Sequence, residues 1–532
     1  MEKQMLRVEQ IHALRDNLIF QLNGPVSPDE CLIRECLPLA GPLPGPELSL
    51  SRPVPEPAGG GRENGCRIAL PRREGERDRL CSRFEIWRQG KKLPGVSFVS
   101  EIEPAEWDYP YPQGRTKKGL QVRFVDDAIK LGVQHAALNL NLGNVMAAAA
   151  GPDTVPFSWQ GRVFHIREAA YTAFDHQVKS LSDAGIVVNL ILLNSPHWGG
   201  ELLDPLLGEL ILHPCYDREG LISAFNMQTA DGYAYYQAFV AYTAARYMRP
   251  DQRYGRACGL IIGNEVNSGW VWGNAGECSD AAYVREYCAA LRTAWLTARS
   301  FYSQARVYVS LDHYWNTTFQ PAYPLRLYRG RRILELLRDL GDQDGDFGWC
   351  VAYHPYCEDF NHPDFWNDRT AAFNFSTPRI TFKNLEILPA FLEQPAFRYK
   401  DRIRPIIFSE QGFHSDETDR SEMIGAAAYC LAYWKIDHQP TIESFILHAH
   451  IDNAHEFGLN LGLLRRDKAS GDENLPAGPK PIYEAFRVID GPDADSWYQR
   501  AREIVGAELW DEMIHPVLDA KDEKQPGDLD LS

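Results

Sequence analysis

Two apolar runs in this chain each end in a single acid. The first reads Gly259-Leu260-Ile261-Ile262-Gly263-Asn264-Glu265-Val266-Asn267, and the second Pro405-Ile406-Ile407-Phe408-Ser409-Glu410-Gln411-Gly412. An ionised carboxylate buried behind such a run costs on the order of several kcal/mol unless it is paired, hydrogen-bonded or held neutral. One such Glu alone reads as readily as a salt-bridged or capping residue. Two together suit cleavage of a glycosidic bond, which needs one carboxyl group that carries a proton to the leaving oxygen and one that is ionised beside the anomeric carbon. The spacing of the two groups in space decides the stereochemistry, and sequence leaves it open. Groups about 5–5.5 Å apart give retention, and about 6.5–9.5 Å leaves room for an inverting water.

The elements that must position these acids alternate in type. From about residue 117, apolar β-rich runs at 134–140, 186–193, 257–263, 306–311, 349–353, 405–409 and 443–448 alternate with helical stretches. The helices are expected at 122–131, 171–184, 232–246, 281–299, 324–340, 385–393 and 422–436, with a closing helix at 481–488 and a further one at 495–513. This pattern predicts βαβ units around a parallel sheet whose two faces are both covered. An eighth strand at 96–100 or 119–122 completes a (β/α)8 TIM barrel, on which the run at 257–263 is strand four and that at 405–409 strand seven. Barrel chemistry sits at the C-terminal strand ends, where both acids fall. Ahead of it, short extended segments at 17–22, 47–51, 67–70 and 83–89 flank a Pro/Gly-rich loop at 42–61 and predict a β-sandwich-like accessory domain. The expected domains are thus 1–105, the catalytic barrel 106–515, and a charged tail 516–532.

Composition narrows the partners. A net charge of −17 argues against nucleic acid or an anionic membrane surface, both of which demand a basic footprint. The first twenty residues mix charged and apolar types without the apolar core of a signal peptide, and no run is long enough to span a bilayer, so a cytoplasmic location is expected. The 11 cysteines form no CxxC pair or zinc spacing and read as free thiols. No cofactor is implied.

The Asn264-Glu265 pair resembles the Asn-Glu motif that closes strand four in clan A glycoside hydrolases. Ser409-Glu410-Gln411-Gly412 is similar to the segment carrying their strand-seven nucleophile. The resemblance spans roughly residues 117–490 and is concentrated in these two motifs; the whole arrangement looks like a poorly characterised bacterial family of that clan. It implies a retaining hydrolase acting on a β-type linkage of an oligosaccharide or glycoside. Glu265 would be the acid/base and Glu410 the nucleophile, with Asn264 holding the sugar hydroxyl next to the reacting carbon. The clan commonly places an aromatic residue, usually Trp, at the end of strand eight, and this chain has no Trp there.

Other residues at strand ends are candidates for substrate contacts. The resemblance implies that a Tyr or His closing strand six holds the nucleophile, a role open to Tyr353 or His354, and strand alternation lets only one of them point inward. His197 and Trp198 follow strand three, Asp312-His313-Tyr314-Trp315 ends strand five, and Asn267 and Trp270 (with Trp272) lie just beyond Glu265. His448, His450, Asp452 and Glu456 follow strand eight and are read as ligands of sugar hydroxyls. A rival reading makes His448 and His450, spaced to point the same way on a strand, the ligands of a metal-dependent barrel hydrolase. A third is a barrel that binds carbohydrate without catalysis.

Overall fold

The computed structural model describes residues 5–26, 30–39, 48–49, 51–53, 66–197 and 203–519. Its N-terminal part is a pair of β-sheets. Five strands (Val8–Ala13, Asn17–Leu22, Ser51–Pro53, Cys66–Pro71 and Glu101–Ile102) form one, and four (Cys31–Cys36, Leu48–Ser49, Arg83–Arg88 and Lys91–Lys92) form the other. Alternation makes them a sandwich: Leu18, Phe20 and Leu22 are buried from one sheet, Phe84 and Ile86 from the other. Phe20 meets Phe84 edge to face at 5.2 Å. The strands Val8–Ala13 and Cys31–Cys36 were not anticipated, because their mixed polar content hides the alternation. The loop expected over 42–61 contains two short strands, and the one bearing Pro53 lies at a sheet edge, where a missing N–H is harmless.

The rest is a closed barrel of eight parallel strands. These are β1 (Lys118–Gln121), β2 (His135–Asn141), β3 (Val187–Leu193), β4 (Ala257–Ile262), β5 (Arg306–Asp312), β6 (Trp349–His354), β7 (Ile406–Phe408) and β8 (Ile442–Leu447). β1 pairs with β8 to close the ring. Of the two options for the first strand, the segment at 119–122 is the one used; 96–100 forms no strand and instead packs its backbone on Asp344. Residues alternate in and out along each strand. Ala137, Ile191, Ile261, Tyr308, Ala352, Ile407 and Ile446 fill the barrel interior, while Leu138, Leu190, Leu260, Val309, Val351 and Phe408 belong to the layer under the helices.

The helices Glu168–Asp183, Ala230–Tyr247, Asp280–Phe301, Gly330–Asp344, Asp419–Asp437 and Pro481–Val488 cover the strands. Two expectations change. The helix expected from 324 begins at Gly330, and the one expected over 495–513 is two, Ala494–Val505 and Ala507–Ile514, interrupted where Gly506 takes φ 95°. A hairpin of Thr154–Trp159 and Arg162–Arg167 after β2 was not anticipated. The expected tail from 516 lies outside the described residues beyond 519. No helix among the described residues is long and apolar enough to cross a membrane.

Candidate active site

Glu265 leaves β4 through a sharp left-handed turn, with Gly263 at φ 76° and Glu265 itself at φ 38°. Left-handed backbone strains a residue with a side chain and persists where surroundings hold it. Here the Glu265 N–H donates to Ser310 Oγ of β5 at 2.9 Å. The turn aims the carboxyl over the barrel mouth, where Oε1 lies 2.9 Å from His354 Nδ1. His354 Nε2 in turn meets Ser409 Oγ at 3.0 Å, so strand six ties the ends of strands four and seven together. Burial pushes the Glu265 carboxyl above its ordinary value; the His354 bond opposes this and the nearby Glu410 charge adds to it. Burial alone would lower His354, but its bond to Glu265 and the charge of Glu410 raise it.

Glu410 follows the end of β7 and accepts two hydrogen bonds. Gln121 Nε2, at the end of β1, donates to Oε2 at 3.0 Å, and Tyr356 Oη donates to Oε1 at 3.3 Å. An ionised carboxylate is acceptor-only and suits two such donors. Gln121 is itself oriented, since its Oε1 accepts from His448 Nδ1 at 2.7 Å. His448 Nε2 faces Glu456 Oε1 at 3.3 Å, an ion-pair contact whose geometry falls short of a hydrogen bond. Burial opposes charge on His448, yet Glu456 and Glu410 prevail and push it up to about 9. Glu265, His354 and Glu410 each present one polar atom, all within 4.8 Å of one another. The two carboxyl groups therefore face each other at close range.

A third buried acid stands beside them. Asp312, ending β5, accepts from Asn267 Nδ2, Ser268 Oγ and the Tyr314 N–H, and burial followed by the Glu265 charge pushes it up to about 7.

The expected substrate contacts divide. His354, His448 and Glu456 gather around the acid pair, and Asn264 is half-buried next to Glu265 with its amide unbonded among the described residues. Tyr353 points the other way into the core, its hydroxyl unpaired, and the residue from this strand end that bonds Glu410 is Tyr356 rather than Tyr353 or His354. Asn267 is consumed in bracing Asp312 and is 1% exposed. Asp452 holds buried Lys480 at 2.6 Å and the Gly462 N–H at 2.8 Å, which makes it a fastening of the strand-eight loop rather than a sugar ligand. His450 turns away from His448 to Asp127 at 2.9 Å, so the two do not converge on a metal. His313 is fully buried between Tyr314 and Phe360, without a bond to either carboxylate, and burial drives it down to about 3. One face of Trp270 is covered by the Arg326 guanidinium at 3.9 Å. His197 is exposed at the rim, and Trp198 lies outside the described residues.

Gln121, Tyr356 and Ser409 were missed as site residues, and Asp312 was expected only as a substrate contact. Gln121 carries no sequence signal beyond its place at a strand end, and Tyr356 lies two residues past the end of β6, where alternation no longer predicts direction.

Fold and site together define an eight-stranded parallel barrel with a facing acid pair at its C-terminal mouth. The chain belongs to the family of unknown function DUF5722, which it matches over residues 110–513. It is similar in fold to a family 39 glycoside hydrolase from the gut symbiont Bacteroides cellulosilyticus WH2, at 13% identity and TM-score 0.44, over 91% of this chain and 82% of that one. A family 1 β-glucosidase from Thermotoga maritima matches at 11% identity and TM-score 0.42, over 69% and 84% of the two chains. A monomeric β-xylosidase from Caulobacter crescentus CB15 matches at 13% identity and TM-score 0.40, over 72% and 69%. No curated protein matches the sequence.

Proposed function

We propose that the chain is a retaining glycoside hydrolase in which Glu410 is the nucleophile and Glu265 the acid/base. The observation that carries this is the pair itself: two carboxyl groups with oxygens within 4.8 Å, in surroundings that differ. Facing oxygens this close support the shorter, retaining spacing of about 5–5.5 Å over the about 6.5–9.5 Å that an inverting water needs. Glu265 is pushed toward its protonated form by burial, as a general acid requires. Glu410 sits under two donors from neutral side chains, as a nucleophilic carboxylate requires.

In the first step a Glu410 oxygen bonds to the anomeric carbon while the bond to the leaving oxygen breaks, and Glu265 delivers its proton to that oxygen. In the second, Glu265 takes a proton from water, whose oxygen bonds to the anomeric carbon and releases Glu410. The resemblance to clan A supports a β-type linkage, with Asn264 beside Glu265 free to hold a sugar hydroxyl. The machinery falls within the barrel domain, 106–515, leaving 1–105 as an accessory domain.

Kinetics of E265Q and E410Q on a panel of 4-nitrophenyl β-glycosides, with the first-formed anomer read by NMR, test this. E410Q is expected to lose at least about 100-fold in kcat/KM and E265Q at least about 100-fold in kcat, because the activated phenolate leaves with little help from an acid while the second step still needs the base, and the wild type is expected to release the β-anomer. Unimpaired variants, or release of the α-anomer, would overturn it. Among the described residues, a cation held by Glu265, His354 and Glu410 is the alternative with a structural basis, although both His354 nitrogens are already engaged. Activity abolished by a chelator and restored by a metal would favour that alternative.

A further inference from the structure

The site has a roof. Trp272 ends the one-turn helix Gly269–Trp272 that follows Glu265, and it rests on the cluster filling the barrel interior. Phe457 belongs to the loop after β8. The two rings meet edge to face, with centroids 6.4 Å apart and planes at 80°, within the range of a favourable aromatic pair. In the barrel order, β4 and β8 stand on opposite sides of the ring. The contact therefore crosses the mouth.

Phe457 is held there against its own preferences. It is 74% exposed and takes φ 51°, an outlier for a bulky side chain. Its loop is fastened at both stems, since Asp452 binds the Gly462 N–H and Lys480 Nζ. A Cβ on Gly462 would lie 2.2 Å from the Asp452 nitrogen, so the stems approach as closely as backbone allows. Within the loop, Asn453 Nδ2 donates to Glu456 Oε1 at 3.0 Å, and the Leu459 N–H donates to the Glu456 carbonyl at 2.8 Å. The residue next to Phe457 thereby reaches down to His448, which bonds Gln121, the donor to Glu410. Beneath the bridge, the side chains of Glu265 and His448 are only 12% and 15% exposed.

The geometry points to an enzyme that acts on chain ends, with Phe457 as the residue that enforces it. A bridge between opposite sides of the mouth prevents the interior of a polysaccharide from being laid across Glu265 and Glu410 from above. A substrate reaches them only by inserting a terminus under or beside the bridge, so the substrate class is glycosides and oligosaccharides with a free non-reducing end. This rests on the glycosidase reading and adds to it the direction of attack.

The test compares paired oligosaccharides of whichever sugar series the enzyme hydrolyses, one with a free non-reducing end and one with that end capped as a 4,6-O-benzylidene or similar acetal. The wild type is expected to cleave the capped chain at least about 100-fold more slowly. F457A is expected to raise the capped-to-free ratio by about tenfold or more, and F457Y to keep it low. Equal rates on both chains for the wild type would overturn the inference while leaving the glycosidase reading intact, as would a ratio that F457A does not move. Failure to cleave any glycoside, free or capped, would instead remove the glycosidase reading and this inference with it.

Discussion

Glu265 and Glu410 share a chemistry but not an environment. Glu265 bonds to a histidine that is itself buried, while Glu410 accepts from an amide and a phenol. Two tyrosines on one strand end separate function from packing. Y356F deletes one donor to Glu410 and is expected to cost about 1.5–3 kcal/mol of transition-state stabilisation, about 10- to 100-fold in kcat/KM. Y353F removes a buried, unpaired hydroxyl and is expected to leave kcat/KM unchanged and Tm unchanged or raised. Steady-state kinetics and thermal melts of the two variants check both. The acid pair was legible because each Glu ends an apolar run. Asp312 also ends one and was legible only as a strand-end contact, because its three hydrogen-bond donors come from backbone and side chains that only the fold assembles.

At the scale of elements, function gathers where strands stop. Period-two alternation orients side chains only within a strand, and β8 stops at Leu447. His448 and His450 lie past that point, and their partners Gln121 and Asp127 come from β1 and the helix Val125–Lys130. This is why the metal-ligand spacing misled. It is also why Asp452 turned out to secure a loop. That role carries its own prediction: K480M leaves the Asp452 carboxylate buried without its partner, at a cost of about 3–5 kcal/mol. Thermal melts should show a large fall in Tm for K480M. The double variant D452N/K480M should fall less than the two single variants summed, since the pair is coupled.

For the whole molecule, the barrel order was readable because buried parallel strands are long apolar runs separated by amphipathic helices. The sandwich was half readable, since two of its strands carry charged residues on the outer face. Stability has a pH signature set at the base of the barrel. His135 of β2 is 7% exposed, donates from Nε2 to the Thr116 carbonyl at 3.0 Å, and is driven by burial down to about 4. A histidine lowered in the folded state contributes stability that is full above its unfolded value near 6.5 and is lost as pH falls toward 4. Between pH 7 and 5 that loss is about 2 kcal/mol. H135Q keeps a donor but cannot titrate, so its fall in Tm between those pH values should be smaller than that of the wild type. An equal fall would show that His135 does not set this dependence.

The most direct test of the central claim, that Glu410 attacks the sugar, is covalent trapping. A 2-deoxy-2-fluoroglycosyl fluoride of the preferred series slows the second step more than the first and should leave one fluoroglycosyl group per chain. Intact mass followed by peptide mapping is predicted to place it on Glu410. A label on another residue, or an active enzyme that hydrolyses glycosides yet never forms an adduct, would contradict the account.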